Sequence, residues 1–452
     1  MEKSIFKAYD IRGIYPSDLN EETAKFIAQA FVNFLSKKLN KKSTDLKIVL
    51  GRDIRKASGG LSEAIIKVFL DNGLMIDNLD LISTNDYFFA LGKYDYDGGI
   101  MVTASHNPPA YGGFKMAYKQ NDDFHFISGK DLLSEVEKIS ELKSFDLAGQ
   151  ELAKNIFADH LKHVLSFVDL QNIKPLKIVV DTGNGMNVLM MEKILEVLPC
   201  KVTPLFFELD SNFPNRPPNP LAENATEKIA AKIKEVQADL GLMFDVDGDR
   251  MFLVDEQGNL LRGDVTILLL AKVLLAKYPG AGIAYNLICS HSVKDLVSAW
   301  GGKPIRSEVG YMNLARHMKE SGGVMSGEVS GHFAFKDNFY SDNAFIAMLL
   351  ALEAISMDTR KVSEIAKDFV LYHKNEELNL SVADIPAALD KIRTTYHVNI
   401  LDEIDGITVE FDNWWFNVRA SNTEPLLRIT VEANTPDLLK EKTEELRQII
   451  GA

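Results

Sequence analysis

Along the chain, short apolar runs alternate with stretches whose apolar positions recur at helical spacing. Residues 21–39 carry Phe26, Ile27, Ala30, Phe31, Phe34 and Leu35, with Asn20 placed to cap and Glu21 and Glu22 in the first turn. That pattern predicts an amphipathic helix. Leu46-Lys47-Ile48-Val49-Leu50 then reads as a strand emptying into Gly51-Arg52-Asp53-Ile54-Arg55, and helical spacing resumes from about Leu61. Strand, polar loop and helix together make a βα unit. The same arrangement returns at 177–186 and, more loosely, at 282–288.

A second set of matches runs beside the first. Gly98-Gly99-Ile100-Met101 leads into a serine loop, Leu240-Gly241-Leu242-Met243 into an aspartate loop, and Gly322-Gly323-Val324-Met325 into Ser326-Gly327-Glu328. We therefore expect three related mixed α/β domains, over 1–148, 149–254 and 255–369. Beyond about residue 370 the pattern changes to short strands near 377–382, 407–411 and 426–431 with a helix near 386–397. A final helix opens at Thr435-Pro436-Asp437, Thr as cap and Pro at its first position. This predicts an α+β domain over 370–452. The run Phe213-Pro214-Asn215-Arg216-Pro217-Pro218-Asn219-Pro220 reads as a long surface loop.

Composition narrows the function classes. With 452 residues, 46% hydrophobic and 25% charged, the chain has the usage of several ordinary globular domains. A net charge of −14 argues against nucleic acid or an anionic membrane as the main partner, since both call for a basic face. Cys200 and Cys289 lie far apart without metal-ligand spacing, and both read as small core residues. The first residues lack the apolar region of a signal peptide, and no apolar window is long enough to span a bilayer. A cytoplasmic location is the expectation.

The chemistry concentrates where strands end. Thr103-Ala104-Ser105-His106-Asn107-Pro108 follows an apolar run, which puts the Ser105 hydroxyl at the carboxyl end of a strand, where α/β sheets bind ligands. Asp245-Val246-Asp247-Gly248-Asp249-Arg250 follows another and offers three carboxylates at alternate positions, oxygen ligands suited to Mg²⁺. An EF-hand is excluded because Arg250 stands where the calcium loop turns on glycine, and Met251-Phe252-Leu253-Val254 continues as a strand. A purely structural acidic turn would leave three carboxylates repelling one another without a cation. His106 beside Ser105 invites a hydrolase reading, but the nucleophile elbow is absent and adjacent residues rarely orient as nucleophile and base.

Three further clusters carry groups suited to phosphosugars: Tyr9-Asp10-Ile11-Arg12-Gly13, Gly327-Glu328-Val329-Ser330-Gly331-His332, and Arg419-Ala420-Ser421-Asn422-Thr423. The last offers a guanidinium, hydroxyls, an amide and backbone N–H groups to the oxygens of a phosphate dianion.

In this order the motifs resemble the α-D-phosphohexomutase family, most closely its bacterial phosphomannomutase/phosphoglucomutase branch, over essentially the whole chain. The resemblance implies a heart-shaped, four-domain isomerase with a phosphate on Ser105. Ser105, Asp245, Asp247 and Asp249 would hold Mg²⁺, and a hexose 1,6-bisphosphate would serve as intermediate and activator. Phosphate would move between C1 and C6 of mannose or glucose phosphates. Mg²⁺ and Arg250 would neutralise the transferring group. Arg12, Lys115 and His332 become the candidates for proton transfer, Lys115 foremost by the resemblance, with His106 beside the serine. Tyr9, Glu328 and Ser330 would contact the sugar, while Arg419, Ser421, Asn422 and Thr423 would grip the phosphate that is not reacting, making the fourth domain a lid. Arg52, Asp53 and Arg55 match the family's first-domain loop and read equally well as an ion pair supporting the serine loop.

The chain departs from many relatives near Ile288, where they carry Lys, and near Tyr311, where they carry His. Apolar Ile288 offers no charge-assisted hydrogen bond. The preference among mannose, glucose and glucosamine phosphates therefore stays open, and phosphoglucosamine mutase is the nearest alternative. A Mg²⁺-dependent sugar phosphatase, which would not need Ser105, and a non-catalytic sugar-phosphate binder are the others. Monomer and dimer are equally compatible with the sequence.

Overall fold

The computed structural model describes residues 2–121, 123–142, 149–421 and 426–451. The chain folds as two compact units, one formed by Met1–Leu260 with Asp337–Lys361, the other by Leu261–Lys336 with Val362–Ala452.

The first unit holds two sheets. In one, strands Met75–Leu81, Lys47–Arg52 and Gly98–Val102 run parallel, and Tyr111–Gln120 returns antiparallel beside Gly98–Val102. Strands Ile11–Ile14, Asp123–Ile127 and Gln150–Ala153 extend it. In the other, Lys201–Leu205, Lys177–Asp181 and Leu240–Phe244 are parallel and Met251–Asp255 returns antiparallel. In the second unit, Lys303–Ser307, Gly282–Asn286 and Gly323–Gly327 are parallel and Phe333–Phe335 returns antiparallel. The repeat expected from sequence is thus a repeat of topology. In each copy, the chemistry-bearing loop links the third parallel strand to its antiparallel neighbour. The remaining sheet of the second unit is wholly antiparallel and carries helices Ile385–Thr395 and Pro436–Ile450, the expected α+β domain.

Helix Glu21–Leu39 forms where the periodicity placed it, with the Asn20 side chain accepting from Thr23 N at 3.0 Å. Helix Lys56–Asp71 starts ahead of Leu61. Asp53 accepts from the Arg55 backbone N–H and the Ser58 hydroxyl, which anchors the earlier first turn. Helix Ala344–Ser356 is buried along its whole length and apolar except at Glu353 and Ser356 in its last turns. It belongs to the first unit, where Asn343 caps it and donates to the buried His160 ring at 3.1 Å.

Two readings are corrected. The proline-rich loop is not simply a surface loop, because Phe213 and Arg216 are buried and Arg216 holds both carboxylate oxygens of Asp181 at 2.9–3.0 Å. Cys200 is only partly buried; Cys289 alone of the two sits in a core.

Candidate active site

Ser105 occupies a left-handed backbone conformation, φ 51°, that L-residues seldom adopt. The loop around it holds that conformation. Thr103 N–H donates to Gly113 O at 2.9 Å, Ser105 N–H to Thr103 Oγ1 at 3.0 Å, and Asn107 N–H to Ala104 O at 3.1 Å. Arg55 braces the loop from below, donating to the carbonyls of Ser105, Asn107 and Pro108 at 2.5, 2.6 and 2.7 Å. Burial pushes the Arg55 pKa down, while Asp53 and Asp247 favour the charged form. The structural role weighed for Asp53 and Arg55 is the one their contacts describe. Arg12 reaches the same loop, bonding Asn107 Oδ1 at 2.9 Å and Asp10 at 2.6–2.8 Å. Tyr9 lies half-buried next to Asp10.

Ser105 and His106, despite being adjacent, do meet. Ser105 Oγ lies 3.1 Å from His106 Nδ1, within reach because of the left-handed turn at the serine. Arg250 Nη2 lies 2.6 Å from the same nitrogen. A guanidinium only donates, so this contact calls for the His106 tautomer whose Nδ1 accepts and whose Nε2 carries the proton.

The aspartate loop leaves strand Leu240–Phe244 at Asp245. Its first carboxylate closes the turn on itself, Oδ1 accepting from the N–H groups of Gly248 at 3.2 Å and Arg250 at 3.1 Å. Gly248 has φ +94°, and a Cβ there would collide with the Asn187 side chain. One oxygen from each of Asp245, Asp247 and Asp249 lies within 4.8 Å of the others, and all three residues are buried. Asp245 Oδ2 and Asp247 Oδ1 are buried and accept no hydrogen bond. Desolvation at full burial, reinforced by Asp247 and Asp249, pushes Asp245 well above the usual carboxylate range despite Arg250 and Lys115. Hard, crowded oxygens with unused lone pairs fit a divalent cation.

Lys115 brings a positive charge to this cluster. It sits on Tyr111–Gln120, paired in register with Met101, and donates to Asp247 Oδ2 at 2.6 Å and to Asp249. Burial works against its charge, but Asp247 and Asp249 outweigh that and hold it firmly as an ammonium.

Some supporting residues escaped the sequence reading. Thr84 donates from its backbone to Asp247 O and from its hydroxyl to Asp247 Oδ2 at 2.9 and 2.8 Å, and Asn85 donates to Gly248 O. Both open a helix capped by a box of Ser83 with Asp86. Arg216 ties Asp181 to the Phe244 carbonyl immediately before Asp245.

The second unit carries the remaining candidates. Buried Glu328 accepts from Ser330 Oγ at 2.9 Å, and Ser330 Oγ lies 3.1 Å from His332 Nδ1. Glu328 N–H donates to His332 O, closing the loop, while Glu328 Oε1 is buried and accepts no hydrogen bond. The Tyr311 ring lies 5.9 Å from the His332 ring, and Ile288 is buried. Arg419 is buried and paired with Glu377 at 2.7 Å, and Ser421 N–H donates to Leu426 O at 2.8 Å. Asn422 and Thr423 lie outside the described residues.

Three α/β sheets that repeat one topology, a strained serine and a buried acidic triad define a class of phosphoryl-transfer enzyme, and the chain matches models of one such family from end to end. Phosphoglucomutase/phosphomannomutase alpha/beta/alpha domains I, II and III match residues 3–142, 155–258 and 262–372, and its C-terminal domain matches 377–449. The chain belongs to the phosphoglucomutase/phosphomannomutase family. It is 33% identical to a phosphomannomutase of Vibrio cholerae over 99% of this chain and 98% of that protein. It is 36% identical to one of Methanocaldococcus jannaschii, covering 99% and 97%. The crystal structure of a phosphoglucomutase/phosphomannomutase family protein from Burkholderia thailandensis superposes with a TM-score of 0.88 at 27% identity, covering 100% of this chain and 97% of that one.

Proposed function

We propose that this chain is a Mg²⁺-dependent phosphohexomutase that moves phosphate reversibly between C1 and C6 of mannose and glucose phosphates through a phosphorylated Ser105. The observation that carries the reading is the continuous contact Ser105–His106–Arg250–Asp245, which joins a strained, buried hydroxyl to the acidic triad. A phosphatase needs no such serine. The division at 1–148, 149–254, 255–369 and 370–452 is adopted with it.

Ser105, Asp245, Asp247 and Asp249 would hold the cation. When bound, Mg²⁺ neutralises charge on the transferring phosphoryl group. Arg250 contributes fixed positive charge at the serine, and Arg55 and the Thr103 hydroxyl keep the serine backbone in position. In the forward step the P–O bond to Ser105 breaks, a P–O bond to the sugar hydroxyl oxygen forms, and the proton of that hydroxyl passes by way of a neighbouring base to the departing Ser105 oxygen. His332 is the acceptor we assign; His106, its Nδ1 lone pair held by Arg250, stays beside the serine as a positioning group, and Lys115, held as an ammonium, orients the phosphate with Arg12. The hexose 1,6-bisphosphate then turns over and returns its other phosphate to Ser105. Tyr9, Glu328 and Ser330 would meet the sugar, and Arg419, Ser421, Asn422 and Thr423 the idle phosphate. A cytoplasmic site of action agrees with this chemistry, and no described helix is long and apolar enough to cross a membrane.

The test is phosphorus NMR of the protein with Mg²⁺, a trace of hexose 1,6-bisphosphate, and in turn the 1-phosphates of mannose, glucose and glucosamine. A 6-phosphate signal from mannose and glucose supports the reading. Fastest turnover of the glucosamine ester would replace it with the glucosamine enzyme, and inorganic phosphate alone with a phosphatase.

A further inference from the structure

We propose that Glu377 is a built-in counter-anion that occupies the Arg419 guanidinium and sets how tightly this part of the chain takes a phosphate group. The inference rests on the reading that Arg419 is a phosphate ligand.

The placement follows from sheet register. Strands Trp414–Ala420 and Leu427–Ala433 pair Arg419 directly with Arg428, which puts two guanidiniums side by side on one face. Like charges in that relation repel. Strand Leu378–Leu380 pairs with the same neighbour, Leu378 opposite Ile429 and Asn379 opposite Arg428, and so brings Glu377 alongside both. Glu377 Oε1 accepts from Arg419 Nη2 at 2.7 Å, and Oε2 lies 3.4 Å from Arg428 Nη1.

Hydrogen bonding is left incomplete at Arg419 by this arrangement. The Arg419 side chain is only 2% exposed, and its Nε is buried with no acceptor. An N–H buried without a partner costs free energy that a phosphate oxygen would recover. Glu377 is 22% exposed, so its carboxylate can be hydrated when a dianion takes its place at Arg419. A structural ion pair has no need of the spare donor. A site that exchanges an internal carboxylate for an external phosphate does.

The consequence is that Glu377 lowers affinity. It holds the guanidinium in place between turnovers and repels the phosphate that replaces it. Glu377→Gln keeps the size and one acceptor oxygen while removing the charge, so calorimetric titration of the full-length protein with inorganic phosphate and with glucose 6-phosphate should give dissociation constants about three- to tenfold lower than wild type. KM should fall with them, while kcat does not rise, and Glu377→Asp, which keeps the charge, should return both to near wild type. Arg419→Ala serves as the control and should weaken both ligands. Unchanged or weaker binding by Glu377→Gln, alongside weakened binding by Arg419→Ala, overturns the inference and leaves Arg419 as a phosphate ligand. Unaltered binding by Arg419→Ala overturns that underlying role and the inference with it.

Discussion

Arg250 and His106 meet across two sheets of the first unit, the guanidinium Nη2 at 2.6 Å from the ring Nδ1 that also faces Ser105 Oγ. This contact fixes the tautomer of the one imidazole beside the serine, because a nitrogen that accepts from arginine cannot carry a proton. Nitrogen NMR of histidine-labelled protein should show His106 neutral with its proton on Nε2. A proton on Nδ1 would contradict the contact. Arg250→Gln should release the tautomer and lower kcat by about a hundredfold, the usual scale for losing one fixed donor at developing charge.

Ser105→Ala should abolish nearly all turnover and the phosphorus content of the purified protein, with little change in melting temperature. A loop hydroxyl supports no core. Ser105→Gly should be as inactive yet at least as stable, since glycine adopts φ 51° without the roughly 1 kcal/mol that a Cβ costs there. Full turnover in either variant would refute a phosphoserine mechanism.

The acidic triad makes stability depend on both pH and metal. Burial and the neighbouring Asp247 and Asp249 raise the Asp245 pKa above its ordinary value of 3.8, so the native state binds more protons than the unfolded chain as pH climbs from that value. Stability contributed by the protonated form is present below 3.8 and lost as pH rises through the folded pKa. Denaturation with urea in chelator should therefore show the metal-free protein weakening over that rise, and Mg²⁺ should restore what is lost. Equal stability with and without Mg²⁺ at neutral pH would argue against a cation among these carboxylates.

His291 supplies a contrary dependence in the second unit. Its ring stacks on Trp415 at 4.7 Å, and burial, reinforced by Lys294 and Arg306, lowers its pKa to about 4. The unfolded chain therefore binds the extra proton between about 4 and 6.5, and stability falls as pH drops through that window. At pH 5 the loss should be about 1–2 kcal/mol, read by Trp fluorescence during urea unfolding. His291→Gln should flatten the slope.

Much of this was legible in the sequence wherever the cause is local. Asn20 before an amphipathic run, Pro436 at the start of a helix and alternate carboxylates after Leu242-Met243-Phe244 each carry their meaning within a few residues. What escaped depends on partners distant in the chain. Thr84 and Asn85 hold the aspartate loop from another domain, and nothing in Ser83-Thr84-Asn85-Asp86 beyond a helix cap announces it. Arg216 hid in a run of prolines because its partner Asp181 ends a strand of the sheet. Adjacent residues rarely orient as nucleophile and base, and Ser105 meets His106 through a left-handed serine backbone that no residue type at this position signals.

The three sheets with the same strand order have a consequence for how such a protein arises. In each, the reactive loop is suspended between two hydrogen-bonded neighbours, so its ends are pinned about one strand spacing apart whatever lies between them. A copied gene segment could therefore keep its scaffold untouched while its connecting piece was rewritten, once around the Ser105 hydroxyl, once around a cage of carboxylates, once around Glu328, Ser330 and His332. Specialisation by duplication asks for little more than new text between fixed margins.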